Sequence, residues 1–318
     1  METKRWSVLA GSIAVALAGC GGGGGGDGGG PLGSVDVTTA NQDTLSRAGM
    51  VALQAAVLGG SGSVTGGSSG GVARALAGRK QIAAVQAPVI DYCTISGTTT
   101  TVLDDRDGSG AAQPTAGDVA TITYDNCSEV AGEVTSGTIV ATYTQVQLAT
   151  LPATIAANVT TTDLRTQTSN ASVTAQGGFA MTLRIDGLTA GNLRVAVPGG
   201  GAFAMDITTP LYSDTVTLRA GYVLDSAYDG TAPARTTTTA RGQVGSGVAA
   251  GYVQVNTLQP FVQYNVDPYP RSGQFEAVGK TGSLQALVLS TSQVQLDLDA
   301  DGNGSFEASK TVAWSDFF

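Results

Sequence analysis

From about Pro88 onward, apolar residues fall on every second position, and this period limits the fold more than any other feature. Phe179, Met181, Leu183 and Ile185 alternate with Ala180, Thr182 and Arg184. Leu193, Val195 and Val197 alternate with Asn192, Arg194 and Ala196, and Phe203, Met205 and Ile207 with Ala202, Ala204 and Asp206. A period of two places each apolar set on one side of a sheet. The breaks at Asp186–Asn192 and Pro198–Gly201 are short enough to join antiparallel neighbours. The same pattern marks Asp118–Asn126, Thr138–Leu148, Thr215–Leu224, Thr236–Val244, Tyr252–Leu258, Gln274–Val278, Ser283–Leu289 and Gln293–Asp299. Helix signals are missing between these runs, which argues against parallel βαβ units. The chain therefore reads as mainly β. Residues 88–318 form one large antiparallel sheet domain, as a curved sheet, a sandwich or a barrel-like closure.

Composition agrees. Only 13% of the 318 residues are charged, so threonine, serine and amides must supply much of the polar surface. Threonine suits strands because its branched Cβ fits a pleated surface. The net charge is −9, which argues against nucleic acid as a partner. The chain has no histidine, which removes Ser-His-Asp and Cys-His catalysis and the usual zinc sites.

The start of the chain has a different character. Lys4 and Arg5 precede a short apolar run, Val8 to Ala18, too short for a stable membrane-crossing helix. A basic start, a short apolar centre and small residues at its end describe a secretory signal peptide. Leu17-Ala18-Gly19-Cys20 resembles the lipobox of bacterial lipoproteins. That resemblance implies a signal peptide over 1–19, diacylglycerol on the Cys20 thiol and cleavage before Cys20. Loss of Glu2, Lys4 and Arg5 would leave a net charge of −10. Gly21 takes the place where, in the enteric pattern, an aspartate would hold the lipoprotein at the inner membrane. The expected address is thus the outer membrane of a Gram-negative envelope, with the membrane itself as partner. Residues 21–30 are glycine except Asp27, so 20–37 read as a lipidated cysteine with a flexible tether. A lead-in over 38–87 follows. It holds a helix over Thr39–Leu58, capped by Thr39 or Asn41 and stopped by Gly59-Gly60, and a second short helix over Ala73–Ala84.

Two cysteines remain, Cys93 and Cys127, each in a strand-like stretch (Val89–Ile95 and Val119–Cys127). In an exported chain paired cysteines usually bond, and this pair lacks CxxC spacing and a basic neighbour. A structural disulfide is expected. Between them, Asp104-Asp105-Arg106-Asp107-Gly108-Ser109-Gly110 reads as an acidic turn, with weak cation binding as the lesser reading.

The best chemical hint lies near the C-terminus. Asp297, Asp299, Asp301, Asn303 and Glu307 could supply oxygens for Ca²⁺. Asp297, Asp299, Asp301 and Gly302 resemble the DxDxDG opening of EF-hand and dockerin loops. The likeness stops there, because the twelfth place is Ala308 and Glu307 falls one residue early. A hairpin turn uses the same Asp-Gly and Asn-Gly pairs for positive φ.

Three functions stand beside one another. The first is a non-catalytic binding or structural module of the envelope. The second is a carboxylate-dependent, glycosidase-like hydrolase; Glu129, Glu133, Glu276 and Glu307 are the glutamates left after processing. A Ser-Lys mechanism would need Lys80, Lys280 or Lys310, and none sits in a recognisable motif. The third is an outer-membrane barrel, suggested by the terminal Trp314-Ser315-Asp316-Phe317-Phe318. It is weakened by an aromatic content of 6%, with Trp314 better suited to a core under a final strand. The chain as a whole is similar to Gly-rich β lipoproteins of Gram-negative bacteria with no assigned activity. The likeness rests on the Leu17–Cys20 lipobox, the Gly21–Gly30 run, the Asp118–Cys127 strand and the acidic C-terminal hairpin. It implies location and architecture rather than a reaction.

Overall fold

The computed structural model describes residues 33–56, 88–108, 114–129, 131–187 and 189–317. The leader, Cys20, the glycine run and the expected second helix lie outside the described residues.

One helix, α1 (Gln42–Ala56), precedes the sheet. The strands follow as β1 (Val89–Tyr92), β2 (Ser96–Asp104), β3 (Val119–Ser128), β4 (Glu133–Gln147), β5 (Ala153–Thr168), β6 (Ser172–Ile185), β7 (Ala190–Ala196) and β8 (Ala202–Thr208). Then come β9 (Ser213–Arg219), β10 (Val223–Asp229), β11 (Arg235–Ser246), β12 (Gly251–Tyr264), β13 (Ser272–Val278), β14 (Ser283–Ser290), β15 (Gln293–Asp299) and β16 (Ala308–Ala313). All 16 belong to one sheet, and every ladder is antiparallel.

The topology is a meander with one interruption. Both β7 and β8 pair with β6, and both β9 and β10 pair with β11. Across the middle, β8 pairs with β9 and β7 with β10. The four strands are thus one long hairpin, broken at 197–201 on one arm and at 220–222 on the other. This corrects two expectations, the single strand over Thr215–Leu224 and a Pro198–Gly201 turn between paired neighbours, since β7 and β8 lie end to end along β6. Gly221 has φ +87°, which ends one strand and lets Tyr222 turn inward before the next begins.

The period of two appears as inward burial. Ile155, Ala157 and Val159 of β5 are buried, and Asn158, Thr160 and Thr162 are exposed. Fourteen strand positions at about 4.8 Å would make a flat sheet roughly 65 Å wide. A helix of 15 residues, about 22 Å long, could not cover that. Instead α1 packs against the inner face of one half of the sheet, on β9, β10, β11, β13 and β14. Residues 48–53 of the helix are buried without a break, so this stretch presents no face to solvent. Gly49 admits the Phe275 ring, which stands 2.7 Å from where a Cβ would lie. Elements far apart in strand order meet at the helix. Lys310 of β16 pairs with Asp43 at 2.5 Å. The Arg47 guanidinium donates to the Asp316 carbonyl at 2.8 Å and lies over the Tyr212 ring between β8 and β9. The Tyr222 hydroxyl donates to the Ala52 carbonyl at 2.7 Å.

Among the described residues no ladder joins β1 to β16, so the strand order is left open between those two edges. Trp314 is buried in the core, in a short 3-10 turn that follows β16. Its ring stacks on Tyr269, and its indole N–H donates to the Ser290 carbonyl at 3.1 Å.

Candidate functional site

The loop between β15 and β16 gathers most of the expected metal-binding residues, but not all. Oxygens of Asp299, Asp301 and Glu307 lie within 4.8 Å of one another. Asp299 ends β15 and is buried, and both of its oxygens accept backbone N–H groups. Gly302 and Asn303 donate to Oδ1 at 2.7 and 3.1 Å, and Gly304 donates to Oδ2 at 2.9 Å. Glu307 accepts the Ala300 N–H at 2.6 Å. Gly302 and Gly304 have φ of +76° and +87°, as the Asp-Gly and Asn-Gly pairs demanded.

Asn303 faces the wrong way for a ligand. Its amide nitrogen donates to Asp301, and its amide oxygen accepts the Ser305 N–H at 2.8 Å. Asp297 stays outside the cluster. It accepts Ser309 Oγ at 2.6 Å and the Gln295 amide at 2.8 Å, across the outer side of the sheet. The geometry is that of a turn bonded to itself, with three carboxylates left at its centre.

Beside this loop lies a cleft of about 390 Å³, lined by the turn from Val278 to Ser283 and by Glu276, Asp299 and Asp301. Two carboxylates in a cleft would suit a hydrolase. Here the oxygens of Asp299 are committed to backbone donors, and Glu276 accepts the Gln285 amide at 3.3 Å.

A second acidic group joins Asp105, Asp107 and Asp118, again with oxygens within 4.8 Å. Asp118 immediately precedes β3 and shares the inward parity of Ala120, Ile122 and Tyr124. Its carboxylate accepts the backbone N–H groups of Arg106 at 3.0 Å and Thr115 at 2.8 Å. It therefore closes one end of the sheet. Arg106 also pairs with Asp104 at 3.1 Å.

Sequence reading missed the counterpart at the other end. Asp214 is buried on β9 and accepts Tyr212 Oη and Ser246 Oγ, both at 2.6 Å, and the Val248 N–H at 3.0 Å. The signal was available, because Asp214 has the parity of Val216 and Leu218. Burial and the Asp214 charge raise the Tyr212 hydroxyl pKa well above its ordinary value.

Cys93 and Cys127 form the expected disulfide, with Cα atoms 5.5 Å apart. It ties the end of β1 to β3. Glu129 lies beside it and accepts the Thr94 hydroxyl at 2.5 Å and N–H at 3.2 Å. Burial, reinforced by the Glu129 charge, pushes Tyr124 up to about 12.

No described helix is long and apolar enough to cross a membrane. Comparison with protein-family models, curated proteins and solved structures finds no match for this chain.

Proposed function

We propose that this chain is an exported, lipid-anchored envelope module that binds or scaffolds rather than catalyses. The observation that carries the reading is the leader ending in Leu17-Ala18-Gly19-Cys20. The Cys93–Cys127 disulfide supports it, since such bonds persist in oxidising compartments. The non-catalytic part rests on the absence of histidine and on Asp299, whose two oxygens already accept backbone N–H groups. The barrel alternative is disfavoured by the direction of the side chains. Apolar residues point inward, and polar ones such as Thr160 and Thr162 point out, the reverse of what lipid contact requires.

In this reading the C-terminal loop is a self-bonded turn, and Asp299, Asp301 and Glu307 are the carboxylates close enough together for one calcium ion to bridge. Calorimetry of the soluble body, 31–318, with Ca²⁺ and with chelator tests that part. A ligand that binds only the native state raises the melting temperature with its concentration. No shift at millimolar calcium leaves the loop a plain turn. For the anchor, Cys20→Ser is expected to move the protein from the membrane to the soluble fraction. An unchanged distribution contradicts the proposal.

A further inference from the structure

The described chain begins at Gly33, and its position fixes which end of the sheet lies next to whatever precedes it. The Tyr252 N–H donates to the Gly33 carbonyl at 3.0 Å, and Ser34 bridges Tyr252 at the start of β12. Residues 35–37 then run past the turn between β13 and β14, with Lys280 N–H donating to the Val35 carbonyl at 2.7 Å and Val37 N–H to the Thr281 carbonyl at 3.0 Å. In an antiparallel meander, alternate turns emerge at one end. The rim where Gly33 enters therefore also carries the turns at 247–250, 279–282 and 300–307 and the corner at 93–95.

That rim exposes apolar tips. Val248 is 60% exposed and Phe306 47%, and Ile95 and Tyr92 are exposed beside the disulfide corner. Exposure alone does not choose an end, because Leu151 and Val266 at the opposite rim are 60% and 82% exposed. The length of the chain does. Thirteen peptide units separate Cys20 from Gly33, which limits the span to about 45 Å. The opposite rim lies a further 30–40 Å or so along the length of β12. Presenting that rim to the membrane would draw the connection almost to its limit. Presenting the near rim needs no extension.

We propose that the rim bearing Val248 and Phe306, where the chain enters at Gly33, is a membrane-contact surface that seats on neutral phospholipid. This rests on the lipid-anchored reading above. The loops of the rim carry Asp36, Glu129, Asp301 and Glu307 against Lys280, so they are repelled by anionic headgroups and suit zwitterionic ones. The partner is thus a lipid surface such as phosphatidylcholine or phosphatidylethanolamine, entered by isolated apolar tips.

The test uses the full chain purified from membranes and reconstituted on phosphatidylcholine vesicles containing nitroxide-labelled lipid. An environment-sensitive fluorophore is placed on Val248→Cys, Phe306→Cys or, as the opposite-rim control, Val266→Cys. Mass spectrometry of the same samples reads the state of Cys20. The expected result is an acylated Cys20, with blue-shifted and nitroxide-quenched emission at 248 and 306 and water-like emission at 266. Adding anionic phosphatidylglycerol should reduce the quenching, and an increase overturns the neutral-lipid assignment. An unacylated Cys20 overturns the anchored reading and the rim assignment with it. An acylated chain with water-like emission at 248 and 306, or with 266 quenched as strongly, overturns the rim assignment alone.

Discussion

Asp118 and Asp214 do the same work at opposite ends of the sheet. Asp118 precedes β3 and Asp214 is the second residue of β9; each points inward and accepts hydrogen bonds from the chain that closes its end. A buried carboxylate is tolerated because its oxygens are occupied. Asp214→Ala would strand the Tyr212 and Ser246 hydroxyls and the Val248 N–H. Unmade buried bonds cost about 1–3 kcal/mol each before relaxation. We expect a loss of about 3 kcal/mol, read as a lower urea midpoint with an unchanged slope. The buried tyrosines make a second prediction. Tyr124 is pushed up to about 12, and burial raises Tyr143, Tyr212 and Tyr222 as well. A raised folded-state pKa favours the protonated fold. Its contribution is complete below the unfolded value near 10 and is lost as pH rises through the folded value. Each such group removes about 1.4 kcal/mol per pH unit within that window. Tyrosinate absorbance from these groups should therefore appear above pH 11 together with loss of the β circular dichroism. A smooth non-cooperative titration near pH 10 contradicts this.

The long alternating strands were legible because their inward positions are large and apolar, as in β6 and β14. β5 was not, because its inward row is Ala153, Ile155, Ala157, Val159 and Thr161, too mild to stand out from its threonines. β2 was hidden by its run Thr98–Thr101, which has no apolar contrast. The broken hairpin was unreadable for another reason. Gly221 sits in apolar surroundings that imitate an unbroken strand, and only the three-dimensional demand for Tyr222 beneath α1 shows why the chain turns there. Close packing enforces that turn. Gly242 passes so near that a Cβ would stand 2.4 Å from the Tyr222 Cα. The helix was foreseen at Thr39–Leu58 and is found at Gln42–Ala56, with the Asn41 side chain bonded back to Thr38 N–H and the Asp36 carbonyl rather than into the first turn. At the other edge, β1 is held to β3 by the disulfide. Closing a loop of 34 residues contributes about 3–4 kcal/mol by restricting the unfolded chain. Reduction should lower stability by that amount and speed hydrogen exchange in β1 and β2 ahead of β13–β15. Uniform exchange across the sheet counts against a local staple.

Among the described residues the molecule is one large antiparallel sheet with α1 packed on its inner face, apolar within and polar without. Of its candidate site, the sequence identified Asp299, Asp301 and Glu307, which the fold brings together. It also included Asp297 and Asn303, whose partners across the sheet and within the turn were not visible from spacing. It gave no sign of the shared rim, because that depends on which turns emerge at the same end. The proposed envelope role requires a processed, acylated N-terminus attached to a disulfide-bonded body. Intact mass spectrometry of the protein extracted from cell membranes tests both together. It should show a chain beginning at Cys20, carrying added diacylglycerol mass, and two hydrogens lighter than the reduced form. A soluble chain that retains Met1, or one cleaved elsewhere with Cys20 unmodified, contradicts the account.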